Sequence, residues 1–176
     1  EKGMHWEGAL LLHYKMMEAC ITPNVVSFSA AMSACEKQGQ WQSAQLLFNE
    51  MRFASVTPNV ISFSAAISAF EGYGCWQRIL CLLEEMDVAG VTPNLISFSA
   101  AMSAFEKDGQ WERVLTLLQK MQDQSVSSDV VSSTAAISAF QKGAQWQRAV
   151  SVLEKMREVA VNPNVISFNA AISACE

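Results

Sequence analysis

Five tryptophans, Trp6, Trp41, Trp76, Trp111 and Trp146, stand 35 residues apart. Five methionines, Met16, Met51, Met86, Met121 and Met156, keep the same interval. Pro23, Pro58, Pro93 and Pro163 keep it too, with Ser128 in the one vacant slot. A fixed period in the range of about 20–50 residues marks an array of stacked supersecondary units. It excludes a fold built around one irregular core.

One period, 25–59, shows what the unit is. Val26, Phe28, Ala31, Met32 and Cys35 recur near helical spacing, and Gly39 then supplies a left-handed stop. Trp41, Ala44, Leu47, Phe48 and Met51 form a second helical stripe. Pro58 suits a first helical turn, and Asn59 is a candidate side-chain cap for the next helix. Each period is therefore expected to be a helix–turn–helix pair. One pair cannot bury both stripes alone, so neighbours must stack. The expected fold class is all-α, an α-solenoid, of either superhelical hand. The expected organisation is four complete repeats, 25–59, 60–94, 95–129 and 130–164. Residues 1–24 form the second helix of an earlier unit, and 165–176 the first helix of a later one. Neither end shows a polar capping helix, so a longer array is expected.

With 51% hydrophobic and 16% charged residues, the chain has the content of a folded protein. No apolar run approaches the ~18 residues of a membrane span, and no targeting segment is visible. No membrane partner is expected. The net charge of −5 argues against indiscriminate nucleic-acid binding through a basic surface. Cys20, Cys35, Cys75, Cys81 and Cys175 form no metal-ligand spacing and read as small core residues under reducing conditions. The two histidines do not build a repeated acid–base or metal site: His5 reads as a turn residue and His13 as a core residue. No catalytic motif is present. The expectation is a non-enzyme without metal or cofactor.

The 35-residue length, the closing Pro-Asn before V-[VI]-S-F-S, the EKxG turn and the A-x-x-L-[FL]-x-x-M run resemble the pentatricopeptide repeat. The tetratricopeptide repeat is the nearest alternative, but its tryptophan lies in its first helix, whereas Trp41 and its equivalents follow the turn. Three features depart from the common pattern: the Ala30-Ala31 pairs, the tryptophan opening the second helix, and Gly143-Ala144 at the fourth turn.

The resemblance implies single-stranded RNA binding, one base per repeat. It assigns base reading to the fifth residues Ser29, Ser64, Ser99 and Thr134 and the last residues Asn59, Asn94, Asp129 and Asn164. Asn24 and Asn169 hold reading positions of the flanking partial repeats. Val26, Ile61, Ile96, Val131 and Ile166 would sandwich the bases, and Lys37, Lys107 and Lys142 would contact phosphates. The chemistry suits the assignment. A carboxylate only accepts, matching the N–H of guanine or uracil; an amide can donate, matching the lone pair of adenine or cytosine. With the family's hydroxyl-for-purine rule at the fifth residue, the four repeats read AAGA. The alternatives are plain: Asn and Ser are common helix caps, and lysine suits a helix C-terminus. The resemblance further implies a monomeric adaptor acting on transcripts in a mitochondrion or plastid, with effector proteins bound elsewhere. A protein-interaction scaffold is the rival reading.

Overall fold

The computed structural model describes residues 5–176. Among them are ten helices and no strand: α1 (His5–Glu18), α2 (Val25–Lys37), α3 (Trp41–Phe53), α4 (Val60–Phe70), α5 (Trp76–Val88), α6 (Leu95–Lys107), α7 (Trp111–Asp123), α8 (Val130–Lys142), α9 (Trp146–Glu158) and α10 (Val165–Ser173). The chain is an all-α array of helical pairs. None of these helices is long and apolar enough to cross a membrane.

Among the described residues, the first compact unit holds 5–70 and 81–93. Here α2 packs on α1, α3 and α4, and α3 on α4. Phe28, Met32, Cys35, Leu47, Phe48, Met51 and Ile67 are almost wholly buried. The second unit holds residues 71–80 and 94–176. There α6 packs on α7 and α8, and α8 also on α7, α9 and α10. Phe98, Met102, Phe105, Val114, Ile137, Phe140 and Met156 form its core. The second helices α3, α5, α7 and α9 begin at their tryptophans, and a neighbouring guanidinium lies over the ring at two of them in the second unit. Arg113 sits 4.5 Å from the Trp76 centroid and Arg148 5.2 Å from Trp111. Trp76 and Trp111 thus pack against side chains of the following repeat, and Trp41 meets the Phe70 ring at 5.7 Å, whereas Trp146 is exposed.

The turns explain the odd fourth copy. Gly39, Gly74 and Gly109 adopt φ of 67°, the left-handed conformation in which a Cβ is costly. At the equivalent position Ala144 is forced to φ 53°. The glycine before it, Gly143, has an ordinary φ of −86°. It is glycine for another reason: a Cβ there would collide with the Trp111 ring. The two residues are not a displaced turn signal but a packing requirement beside a strained one.

Some expectations need correction. His5 opens α1 rather than a turn, because the helix begins one residue before Trp6. The prolines precede the caps instead of entering the first turn: Pro58 is followed by Asn59 and the helix starts at Val60. Of the five cysteines only Cys35 is buried; Cys20, Cys81 and Cys175 are exposed and Cys75 is intermediate. The Phe140 equivalent of Cys175 is covered because α9 packs on α8. Ser133, which replaces the phenylalanine of other repeats, is buried at 1% exposure. Its loss of bulk shows at Leu118. That residue is half-buried, as is its equivalent Leu153 next to the last helix, whereas Phe48 and Leu83 inside the array are buried, Phe48 against Phe63 at 5.2 Å between centroids.

His13 takes the place of Phe48 in the first repeat frame and lies 4.6 Å from the Phe28 ring. It is 4% exposed, and neither ring nitrogen has a hydrogen-bond partner among the described residues. Burial lowers its pKa from the ordinary 6.5, and the nearby Glu50 carboxylate offsets only part of this. The folded chain therefore binds this proton less readily than the unfolded chain. The stability linked to His13 is complete above about pH 6.5 and declines as pH falls below it. His13→Leu should flatten that acid slope in urea melts at pH 5–7.5; an unchanged slope would place the titrating group elsewhere. At the fourth turn, Ala144→Gly should stabilise by about 0.5–1 kcal/mol by relieving the left-handed alanine. Gly143→Ala should destabilise by about 1–3 kcal/mol through the Trp111 collision. Thermal unfolding of the two variants checks the opposite signs.

Candidate functional site

Each first helix exposes N–H groups that have no partner within the helix. The residue before it supplies one. Asn24, Asn94, Asp129 and Asn164 adopt extended backbone at the N-cap, with φ of −114°, −100°, −106° and −99°. Their Oδ1 atoms accept the backbone N–H of the serine three residues on: Ser27 at 3.0 Å, Ser97 at 3.0 Å, Ser132 at 2.8 Å and Ser167 at 2.8 Å. Asn59 accepts in the same way from Ser62 at 3.0 Å. In four of the five caps the serine hydroxyl also donates to that oxygen, from Ser62, Ser97, Ser132 and Ser167 at 2.7–3.0 Å. Two or more donors thus converge on one side-chain end, which must be the oxygen. For the asparagines the amide NH₂ is then the outward end; for Asp129 it is a second carboxylate oxygen.

Beside each cap stands an exposed aliphatic residue. Val26, Ile61, Ile96, Val131 and Ile166 are 56–69% exposed. Single exposed aliphatics are ordinary; the same exposure at the same repeat position five times is a built feature. Val26 and Ile61 also give their backbone N–H to the cap oxygen, at 2.9 Å and 3.0 Å. Cap and aliphatic neighbour are therefore held in one piece.

The fifth residues lie deeper than a direct reading contact suggests. Ser29 and Ser64 are only 6% and 5% exposed, and each donates to the carbonyl four residues back, Val25 and Val60. Ser29 also meets Ser62 Oγ at 3.1 Å, and Thr134 meets Ser167 Oγ at 2.7 Å. The fifth and last residues of a repeat are thereby joined through the third-position serine of the next: Ser29 to Asn59 through Ser62, and Thr134 to Asn164 through Ser167. The pair Ser99 and Asp129 is not joined in this way. Ser99 Oγ is buried without a hydrogen-bond partner, while Ser132 is bonded to Asp129. Asn169 is exposed on α10.

These linking serines were missed as functional residues in the sequence. Serine stands at the third position of all five first helices, Ser27, Ser62, Ser97, Ser132 and Ser167, but a serine there reads as helix surface until its partner 33 residues away is known.

The lysines divide. Lys37 is exposed, with no ion pair among the described residues. Lys107 Nζ lies 3.4 Å from Glu71, and Lys142 Nζ lies 2.7 Å from Glu106 Oε1 while donating to its backbone carbonyl at 2.9 Å. A phosphate at Lys107 or Lys142 has to share the ammonium with a carboxylate of the preceding repeat. The first unit also carries two very exposed apolar side chains, Phe53 and Val88 (90% and 91%). Val88 borders an open groove shared with Pro58, Phe63 and Cys81 and flanked by the Arg52–Glu85 ion pair.

The caps set a stability expectation. Asn164→Ala should destabilise by about 0.5–2 kcal/mol, the usual cost of losing a side-chain cap. Asp129→Asn, which keeps the accepting oxygen, should stay within about 1 kcal/mol of the parent. Chemical denaturation of both variants distinguishes a capping oxygen from an incidental surface group.

Three family signatures match the chain: the pentatricopeptide repeat domain over residues 116–176, the PPR repeat family over 23–72 and the PPR repeat over 96–126. No curated protein matches it. Among solved structures, the pentatricopeptide repeat protein PPR10 in complex with an 18-nt psaJ RNA element is similar at a TM-score of 0.71 and 22% identity, over 98% of this chain and 26% of that one. The PPR domain of Arabidopsis thaliana protein-only RNase P 1 in complex with tRNA is similar at 0.85 and 13%, over 97% and 90%. Nuclear proteinaceous RNase P 2 from A. thaliana is similar at 0.83 and 16%, over 99% and 40%. This chain thus spans about a quarter of PPR10. At such identities the likeness concerns the fold, a stack of paired helices. The repeated motifs, the helical pairs they build and the signatures that match along the sequence agree, and the chain belongs to the pentatricopeptide repeat family.

Proposed function

We propose that this chain binds single-stranded RNA, one base per repeat, and that its four repeats prefer AAGA. The carrying observation is the inward-turned oxygen of every cap. It presents an amide donor at the asparagine positions and an acceptor at Asp129, each next to an exposed aliphatic side chain suited to the face of a base. RNA in the structures of PPR10 and of the RNase P 1 repeat domain supports the same reading. The family generally serves organelle transcripts, and the proposed role is a non-catalytic adaptor in processing, stability or translation there, acting as a monomer and with effectors bound through other regions.

Affinity for four bases should be modest. Aromatic stacking contributes ~1–3 kcal/mol per base and an aliphatic contact less, against an association cost of ~4–15 kcal/mol. Salt dependence should be shallow. Three phosphate contacts give a log–log slope of about −2, and the carboxylates of Glu71 and Glu106 beside Lys107 and Lys142 reduce the net gain further.

A second reading has one observation in its favour. Val88 at the Pro58–Phe63 groove and the exposed Phe53 beside Arg52 are apolar side chains of the kind that dock a protein. The two readings part in a single experiment. Fluorescence anisotropy with long RNAs carrying AAGA or AAAA should favour AAGA for the parent chain, and Asp129→Asn should reverse the preference. Equal affinity of both RNAs for the parent rejects the assignment of Asp129. No binding to either favours the scaffold.

A further inference from the structure

Resting on the base-reading proposal, we infer that Ser62 and Ser167 are positioning residues for base discrimination. Each fixes which end of the preceding asparagine side chain faces outward and ties it to the fifth-residue hydroxyl of the same repeat.

The argument starts from donors. Asn59 Oδ1 accepts from the N–H of Ile61 and of Ser62, each at 3.0 Å, and from the Ser62 hydroxyl at 2.9 Å. Asn164 Oδ1 accepts from Ser167 N–H at 2.8 Å and from its hydroxyl at 2.9 Å. An amide rotated by half a turn would aim NH₂ at these donors. The backbone N–H groups can only donate, and the serine hydroxyl already accepts the backbone N–H of its own cap, at 3.2 Å from Asn59 and 3.4 Å from Asn164, which leaves its proton to donate; both disfavour the flipped amide, which would present an acceptor to the base and invert the preference. Both serines are fully buried, which holds the hydroxyl in place.

The same hydroxyl reaches across to the other reading residue. Ser167 Oγ lies 2.7 Å from Thr134 Oγ1 and 2.9 Å from Asn164 Oδ1. With one proton each, Thr134 donates to Ser167 and Ser167 to Asn164. The Thr134 hydroxyl is left with lone pairs to offer. In the first repeat the Ser29 proton goes to the Val25 carbonyl at 2.7 Å, so the 3.1 Å contact with Ser62 competes with the Ser62–Asn59 bond. The ordering should be tighter at Asn164 than at Asn59.

Asp129 supplies an internal control. Its two oxygens are chemically equivalent, so orientation carries no information. Ser132 makes the same cap bonds, at 2.8 Å from its N–H and 2.7 Å from its hydroxyl. Removing that hydroxyl should cost stability without changing which base is preferred.

The test uses the full chain with Ser62→Ala, Ser167→Ala, Ser132→Ala and the conservative Ser62→Thr. Anisotropy is measured against RNAs that vary one base of AAGA at a time. Ser62→Ala should reduce discrimination at the first base by about five-fold, the value of one hydrogen bond, and leave the other bases unchanged. Ser167→Ala should do the same at the fourth base, Ser62→Thr should restore the parent value, and Ser132→Ala should keep the guanine preference. A uniform loss over all four bases, or an equal shift at the third base in Ser132→Ala, would overturn the inference and leave the serines as caps alone. Side-chain ¹⁵N relaxation of the free protein judges the positioning separately. The order parameters of Asn59 and Asn164 Nδ2 should fall only in their own serine variants, and unchanged values overturn the inference even where RNA binds. A parent chain that shows this ordering but no base preference instead rejects base reading.

Discussion

The structure depends on one short side chain at each repeat boundary. A first helix starts abruptly after proline, or after Ser128 before α8, with N–H groups that have no partner in the helix. A side-chain oxygen three bonds from Cα satisfies them, and Asn24, Asn59, Asn94, Asp129 and Asn164 do so. Serine or threonine would also cap, but a hydroxyl has no second polar end. Asparagine and aspartate have two. One oxygen is consumed by the helix, and the other end, NH₂ or oxygen, is free to differ. The requirement for a stable helix start thus creates a position at which the outward hydrogen-bonding character varies while the inward one stays constant.

The aliphatic neighbour follows from the same geometry. Residues 26, 61, 96, 131 and 166 are second in their helices, and they cannot turn inward without losing the register that buries Phe28, Phe63 and Phe98 two residues later. Their exposure is therefore a consequence of where the cap places the helix start. Selection of valine or isoleucine there, against the solvent's preference, is what marks the face as a contact surface.

Much of this was legible in the sequence because it is local. The period, the two helices per repeat, the glycine stops and the caps all depend on residues within four or five positions. The missing parts depend on neighbours one repeat away. Ser29 and Thr134 bond to serines 33 residues ahead, and Lys107 and Lys142 bond to residues 36 behind. Those offsets straddle the 35-residue period, so they need the packing register of adjacent helices, which hydrophobic spacing does not supply. Burial of the fifth-residue hydroxyls and pairing of the lysines were invisible for that reason. So was the purpose of Gly143, whose constraint comes from Trp111 in the preceding repeat.

The stretch around residue 129 shows how packing and recognition separate. Ser133 removes an aromatic ring from the core stripe, and Leu118 in the preceding helix is only half-buried. In a linear array such a loss stays with the nearest neighbours. Four residues earlier, Asp129 replaces asparagine and keeps every capping bond, with the Ser132 hydroxyl contact at 2.7 Å against 2.9–3.0 Å at the asparagines. A carboxylate at a helix N-terminus is favoured by the helix dipole. The change that alters the outward end from donor to acceptor is thus neutral or stabilising for the fold, while the change that harms packing leaves the outward face untouched. Their adjacency in sequence gives no reason to treat them as one event. The cap lets the array tolerate a worn core at the same junction where it changes its outward chemistry.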